Sequence, residues 1–482
     1  MNQLPQNRTH ESQQGKACVI GAGPNGLAAA IALAQSGFEV RVFEAEPQPG
    51  GAARTLDLTL PGFHHDFGSA VHPMAAGSPF FQTLPLADHG LEWIHSPAPL
   101  AHPLDDGTAV MLERSFDDAQ AALGEDGAAW RSMMEPLASH WNNFTEDILR
   151  PPLSIPRHPM LLAKFAQDAL ASARFVARRH FRNERARALF AGLAAHSFLS
   201  LDAAASASFG LVLGAAAHAV GWPIPRGGSQ SITNALCRYL ETLGGVVHTS
   251  SPIETFEQLP PCELTLCDLT PRQLISIAGE KLSPGYRNRL QRYRYGPGVF
   301  KVDYALSNPI PWTAPECLRA ATVHVGGSMD EIAASEAAVV HGKVADRPFL
   351  IVVQPTLFDP TRAPEGKHIA WAYCHVPNGW NEDCLNAIED QIERFAPGFR
   401  DSVLARRVFT PAGLEGMDAN LVGGDISGGA MDLRQLVFRP TGLLYQTSAS
   451  DLYLCSSSTP PGGGVHGMCG YNAAQVALRR MK

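Results

Sequence analysis

The sequence predicts an α/β fold: a discontinuous, Rossmann-type parallel-sheet domain, a mixed-sheet second domain and a helical cap. Three observations carry this. A strand, glycine turn, helix and second strand run from Lys16 to Glu44. A glycine turn, helix and strand return at Gly221 to Thr249. A glycine-rich loop and a helix close the chain after Cys455. A chain of 482 residues exceeds one ordinary core, so two or three domains are expected.

The N-terminal unit is the most informative. Lys16 to Ile20 reads as a buried strand, Gly21-Ala22-Gly23-Pro24-Asn25-Gly26 as the turn, and Leu27 to Ser36 as an alanine-rich helix ended by Gly37. A second strand, Glu39 to Phe43, leads to Glu44. Each part has a physical role in holding a dinucleotide. Gly21 permits the tight turn, Gly23 lets backbone approach a pyrophosphate, and Gly26 lets helix pack on strand. The helix start offers free N–H groups and partial positive charge to phosphates, and Glu44 can accept both ribose hydroxyls. A glycine turn without ligand is the bland alternative.

Gly50-Gly51-Ala52-Ala53-Arg54-Thr55 follows, a second glycine pair with a cation. The stretches GAGPNGLAAA, FEAEPQPGGAART and LPGFHHDFGSAVHPM resemble the phytoene desaturase-related flavoproteins, in particular the branch of pyridine nucleotide-disulfide oxidoreductase domain proteins. The resemblance implies FAD as cofactor. It implies cofactor contacts from Gly21, Gly23, Pro24, Asn25, Gly26, Glu44, Ala45, Gly50, Gly51, Arg54, Gly68 and Ser69. An ordinary surface arginine is the alternative for Arg54.

Residues 79–217 read mainly as helices, at Phe116 to Ala122, Gly127 to Leu149, Met160 to Arg179 and Asn183 to Ala194. Between Arg157 and Arg187 stand eight Lys or Arg against only Asp168 and Glu184. Arg174, Arg178, Arg182 and Arg185 are spaced to share one helical face, with Phe165, Ala169 and Val176 roughly opposite. Such a stripe can lie on an anionic membrane; a solvated cap face or an oligomer contact is the favoured alternative. Ala207 to Trp222, with His218 and several glycines, reads as a buried helix rather than a membrane span.

The passage Gly221 to Ser229, the helix Gln230 to Leu243 and the strand Val246 to Thr249 return the chain to the first domain. In the resembled family this passage ends near Ile253, where an aliphatic side chain meets adenine, and a further strand, Glu263 to Cys267, leads to Asp268. Short strands at Val299 to Leu306, Ala321 to Val325, Phe349 to Pro355 and His368 to Val376, with helices at Ser328 to Ala338 and Cys384 to Ala396, suggest a mixed sheet walling a substrate cleft. His324 and His375 sit in apolar strands and read as satisfied core histidines.

At the end come Gly423 to Met431, Arg439-Pro440, the strand Leu452 to Cys455, and Ser456 through Gly462-Gly463-Gly464-Val465-His466-Gly467. The resemblance places Ser457, Gly464, Val465 and His466 at the cofactor, although Ser456 and Ser457 stand where many relatives carry glycine or aspartate. His466 and Arg434 are catalytic candidates by position alone.

The expected domains are 16–78, 218–298 and 423–482 for FAD binding, 79–217 for the cap and 299–422 for substrate, behind a disordered tail at 1–15. Charged residues are 17% of the chain, against about 25% in typical domains. That points to buried surface, an apolar cleft or contact with lipid. The net charge of −8 gives no reason to expect nucleic acid. Nine scattered cysteines argue for reduced thiols in a cytoplasmic protein, without a disulfide framework or metal site. The expected reaction is hydride transfer between a C–H bond of an apolar small molecule and flavin N5, giving a C=C bond or the reverse; the electron acceptor is left open, with oxygen or a quinone favoured over NAD. Amine oxidase-like C–N oxidation and a flavin-stabilised scaffold without turnover are the alternatives. The oligomeric state is left open.

Overall fold

A computed structural model describes residues 15–481, so the expected tail lies almost wholly outside the described residues. In chain order, the elements used below are β1 (Lys16–Ile20), α1 (Pro24–Gln35), β2 (Glu39–Phe43), β3 (Ala98–Pro103), β4 (Ala109–Leu112), α2 (Pro159–Ala169), α3 (Ala173–His180), α4 (Glu184–Ala195), α5 (Ser206–Ala219), β5 (Val246–His248) and β6 (Leu264–Cys267). They continue with α6 (Pro284–Gln291), β7 (Gly298–Leu306), β8 (Ala320–Val325), α7 (Met329–Val340), β9 (Leu350–Val353), β10 (His368–Val376), β11 (Val403–Phe409), α8 (Leu433–Val437), β12 (Leu452–Leu454) and α9 (Met468–Met481).

Five strands from three parts of the chain form one parallel sheet in the order β12-β6-β1-β2-β5. The register sets Ala17 beside both Val40 and Leu264. β1 is central, and the order runs outward from it on both sides. The crevice beyond its carboxyl end is therefore the topological switch point where doubly wound sheets bind ligands. Helix α1 is buried along most of its length, which explains its alanine content. α9 crosses it so closely that a Cβ on Gly470 would lie 1.8 Å from the Asn25 carbonyl oxygen.

The second sheet has seven strands in the order β11-β7-β10-β9-β8-β3-β4, antiparallel except where β8 meets β3. Its two faces bury different cores. Val299, Ile351, Val353, Trp371, Tyr373 and Phe409 pack with the cap helices, while Phe300, Val302, Tyr304, Ala370 and Cys374 pack on the far side against Ile388 and Ile392. Alternation along β7 and β10 sorts the residues this way.

Three expectations change. Residues 79–217 are not all helical, because β3 and β4 lie there and belong to the mixed sheet. The run at Met160 to Arg179 is two helices, α2 and α3, and Phe181 to Asn183 break the chain before α4. The arginine stripe therefore shares no single helical face. Arg174 pairs with Asp202 and Asp330, and Arg178 pairs with Asp330. Arg185 donates to the Thr108 hydroxyl and the Ala109 carbonyl. The stretch at Ala207 to Trp222 is indeed a buried helix, α5.

Among the described residues no helix is long and apolar enough to cross a membrane, and no group of three His, Cys, Asp or Glu is arranged to hold a metal ion. All nine cysteines are free thiols.

Candidate functional site

The carboxyl ends of β1, β2, β6 and β12 meet in one place, and each contributes a loop. After β1, Gly21 takes φ +94°, a conformation glycine adopts at low cost. A Cβ on Gly26 would stand 2.0 Å from the Gly21 carbonyl oxygen, so the turn closes only with glycine there. Pro24 occupies the first turn of α1, and the N-cap residue Gly23 has no side chain with which to cap it. Pro24 has no N–H, the Leu27 N–H bonds the Gly23 carbonyl and the Gly26 N–H bonds Asp268, so the Asn25 N–H is the one left for an anion.

Two carboxylates flank this turn. Glu44, after β2, accepts the Ala22 N–H at 2.7 Å and the Glu46 N–H at 3.0 Å. It braces the turn while each oxygen keeps a further lone pair. Burial raises its pKa against the effect of those two amides. Asp268, after β6, accepts the Gly26 N–H at 2.8 Å. Burial pushes its carboxyl up to about 7, with the charges of Asp418 and Glu44 adding to the shift. A Cβ on Gly23 would stand 2.7 Å from an Asp268 carboxyl oxygen. The close approach that Gly23 permits within the chain is thus to this aspartate. Sequence reasoning placed Asp268 at a sheet edge but not in the site; its position straight after a buried strand was the available signal.

The second glycine pair folds over the first turn. A Cβ on Gly51 would lie 3.6 Å from the Gly23 Cα and 3.4 Å from an Asp418 oxygen. Arg54 is not a surface arginine. It is buried, donating to the Gly51 carbonyl at 2.8 Å, to Glu46 at 3.1 Å and to the Met417 carbonyl at 2.5 Å. Its charge is present at the site while its donors fasten the loop. Gly68 serves packing, because a Cβ there would lie 2.4 Å from the Ala52 carbonyl oxygen. The Ser69 hydroxyl is buried without a partner, as is the Asn25 side-chain oxygen.

The loop after β12 completes the site. The Asn25 amide reaches Ser457 Oγ at 3.5 Å, and Ser456 and Ser458 are spent on the carbonyls of Leu269 and Gly428. Gly462 and Gly464 take φ of +115° and +126°, and Gly463 and Gly464 are exposed. Val465 is half-buried against the α1 core. His466 is buried, and its Nδ1 accepts the Met468 N–H at 3.0 Å at the start of α9. Burial holds its imidazole down at about 4, so it is a neutral helix cap. Arg434 is exposed on α8, outside this cleft. Ala45 is exposed, and Ile253 is half-buried beside Leu269 and Phe256 at the sheet edge.

A buried ionic group joins the seven-stranded sheet to the short hairpin Thr55–Asp57/His64–Asp66. Lys301 on β7 donates to Asp303 at 2.5 Å and to the Asp66 carbonyl at 3.2 Å, and lies 5.3 Å over the Trp371 ring. Burial pushes the Asp303 carboxyl up to about 6 in spite of that lysine. Asp66 pairs with the buried Arg362 at 2.9 Å. Burial raises the Asp66 carboxyl, but Arg362 and the Ser229 N–H outweigh it and leave it below its ordinary value. Trp371 and Tyr373 stack at 5.6 Å on the same inner face. His324 and His375 are buried there too. His375 binds Glu336 at 2.8 Å and His324 shares a 3.0 Å hydrogen bond with His196, yet His375 Nε2 and His324 Nδ1 have no partner.

Comparison with known proteins agrees with this geometry. A family model for NAD(P)-binding Rossmann-like domains matches residues 19–84. Pyridine nucleotide-disulfide oxidoreductase domain-containing protein 2 of Mus musculus is 26% identical, over 97% of this chain and 94% of that protein. The zeta-carotene-forming phytoene desaturase of Myxococcus xanthus is 27% identical, over 94% and 92%. The chain is thus similar along nearly its whole length to the phytoene desaturase-related oxidoreductases. An oxidoreductase from Methanosarcina mazei shares this fold, with a TM-score of 0.64 at 17% identity over 96% of this chain and all of that one. Putrescine oxidase bound to putrescine does so as well, with a TM-score of 0.60 at 15% identity over 97% and 99%.

Proposed function

We propose that this phytoene desaturase-related protein is an FAD-dependent dehydrogenase that forms a C=C bond in an apolar small molecule. The observation that carries this is the convergence on the start of α1 of two glycine segments, Gly21–Gly26 and Gly50–Gly51, with Ser457 and Gly470 of the C-terminal segment. A backbone free of Cβ atoms, the positive end of the α1 dipole and orphaned polar atoms on Asn25 and Ser69 fit a flat ring joined to a pyrophosphate. FAD, when bound, supplies the hydride acceptor.

The chain's own residues supply position and surroundings. Glu44 fixes the turn and can accept ribose hydroxyls. The start of α1, with its partial positive charge, the Asn25 N–H and the Gly26 N–H that Asp268 now holds, would hold the phosphates. Trp371, Tyr373, Ile351 and Val353 present an apolar wall that excludes water. Lys301 holds its proton between Asp303 and the Asp66 carbonyl. The electron acceptor in this reading is oxygen or a quinone. The apolar substrate reaches the protein at a lipid surface, supported by Ile155 and Met160 at the cap edge, which are 87% and 84% exposed.

A second reading is oxidation of a C–N bond. The stacked Trp371 and Tyr373 favour it, since aromatic faces attract a cationic amine. Anaerobic mixing of the purified yellow protein with candidate substrates tests both. Bleaching of the 450 nm band by a polyene precursor supports desaturation, and bleaching by amines alone supports the second reading. A colourless protein that gains no flavin on titration would defeat both.

A further inference from the structure

Away from the glycine turns, α6, the segment after it and α8 enclose a cavity of ≈ 440 Å³. Its walls carry Arg289, Arg292, Arg294 and Arg434, with Phe438 at the rim and Tyr293 at the base. The protein as a whole carries a net charge of −8, yet residues 287–294 hold four arginines and no acid. Arg294 is neutralised by Asp432 at 2.5 Å. Arg289, Arg292 and Arg434 are exposed and, among the described residues, make no ion pair and no side-chain hydrogen bond.

Three cations held around one concavity repel one another, an arrangement that an oxyanion relieves. Guanidinium groups match the oxygens of phosphate in paired hydrogen bonds. Phe438 is 49% exposed and offers an open face to a ring or chain attached to that phosphate. The base of the cavity leads inward. Tyr293 donates to the Gly428 carbonyl at 2.6 Å and accepts from the buried Arg439 at 3.1 Å. A Cβ on Gly462 would stand 2.8 Å from Arg439. Two side chains therefore separate this cavity from the C-terminal glycine loop.

We propose that this cavity binds a phosphate-bearing ligand, with its oxyanion held by Arg289, Arg292 and Arg434 and its organic part against Phe438. The site is independent of the Gly21–Gly26 turn. The shared chemistry is the phosphate group, which a soluble nucleotide or an anionic lipid headgroup could bring.

Calorimetry on the full-length protein as purified, with inorganic pyrophosphate and with ADP, tests the soluble source. Flotation on phosphatidylglycerol against phosphatidylcholine vesicles tests the lipid source. The triple variant Arg289→Ala/Arg292→Ala/Arg434→Ala should weaken whichever binding is seen at least tenfold, with an unchanged melting temperature. Arg434→Glu alone should do the same if the triple variant fails to fold. The proposal is overturned if the wild type binds none of these probes. It is equally overturned if the variants bind as the wild type does, because the ligand would then sit elsewhere, such as at the glycine turn.

Discussion

The buried Asp268 carboxylate makes cofactor binding sensitive to pH. Its oxygen sits 2.8 Å from the Gly26 N–H, a donor at the helix start that a pyrophosphate would also use. Its pKa is raised, to about 7, by burial and by the charges of Asp418 and Glu44, so the ionised form is the disfavoured one and dominates only above that pH. An incoming pyrophosphate adds negative charge and raises it further, so binding takes up a proton. Affinity should then be level below pH 7 and fall as pH rises through it. Between pH 6 and pH 8 the loss approaches about tenfold, or about 1.4 kcal/mol. Asp268→Asn keeps an oxygen for the Gly26 N–H and removes the charge. It should bind FAD about tenfold more tightly than wild type at pH 8 and equally at pH 6. Quenching of flavin fluorescence during titration of the apoprotein, at constant ionic strength and at pH 6, 7 and 8, reads this directly. A wild-type dissociation constant that is level from pH 6 to pH 8, or a variant with the wild-type slope, would refute the reasoning.

Gly23→Val puts a side chain against the Asp268 carboxyl, 2.7 Å from where its Cβ must stand, and the purified variant should lack the 450 nm flavin band; full occupancy would contradict the site. Gly464→Val introduces a branched side chain at φ +126° beside the His466 ring and should lower flavin content or potential while circular dichroism is unchanged; wild-type content, potential and spectrum would place this loop away from the ring. Lys301→Met leaves Asp303 buried without its partner and should cost about 3–5 kcal/mol, more at pH 8 than at pH 5 because the unpaired carboxylate must ionise. Lys301→Met/Asp303→Leu should recover most of that loss, and a double variant no more stable than the single would show that the pair is not the cause. Arg174→Glu/Arg178→Glu/Arg182→Glu should leave flotation on anionic vesicles unchanged, since two of these arginines are spent on Asp202 and Asp330, whereas Ile155→Asp/Met160→Asp should reduce it.

Much of the candidate site was legible because its chemistry is local. The turn at Gly21–Gly26, the helix that follows and the carboxylate of Glu44 lie within 24 residues, and backbone sterics and hydrogen-bond geometry over that span dictate strand, turn, helix and strand. The strands β7 and β10 were legible for the same reason, since alternation is a short-range pattern. The sequence by itself also determined that α5 is buried, because fourteen residues with so many alanines and glycines have no broad polar face to show to water.

Only the tertiary structure decided which distant groups meet. Asp268 reaches Gly26 across 242 residues, and nothing near either residue announces the other. β3 and β4 read as part of a helical region because their short apolar runs carry no period of their own; pairing of β3 with β8, and of β4 with β3, makes them strands. The arginine stripe looked like one face because helical spacing was extended across Phe181 to Asn183, where the chain breaks. His466 and Arg434 stood close to the glycine loop in sequence, yet packing turned one into a buried cap and left the other exposed beside three more arginines. Local dihedral preferences specify elements, whereas contacts between them depend on how whole faces are buried, and that is settled only when the chain closes on itself.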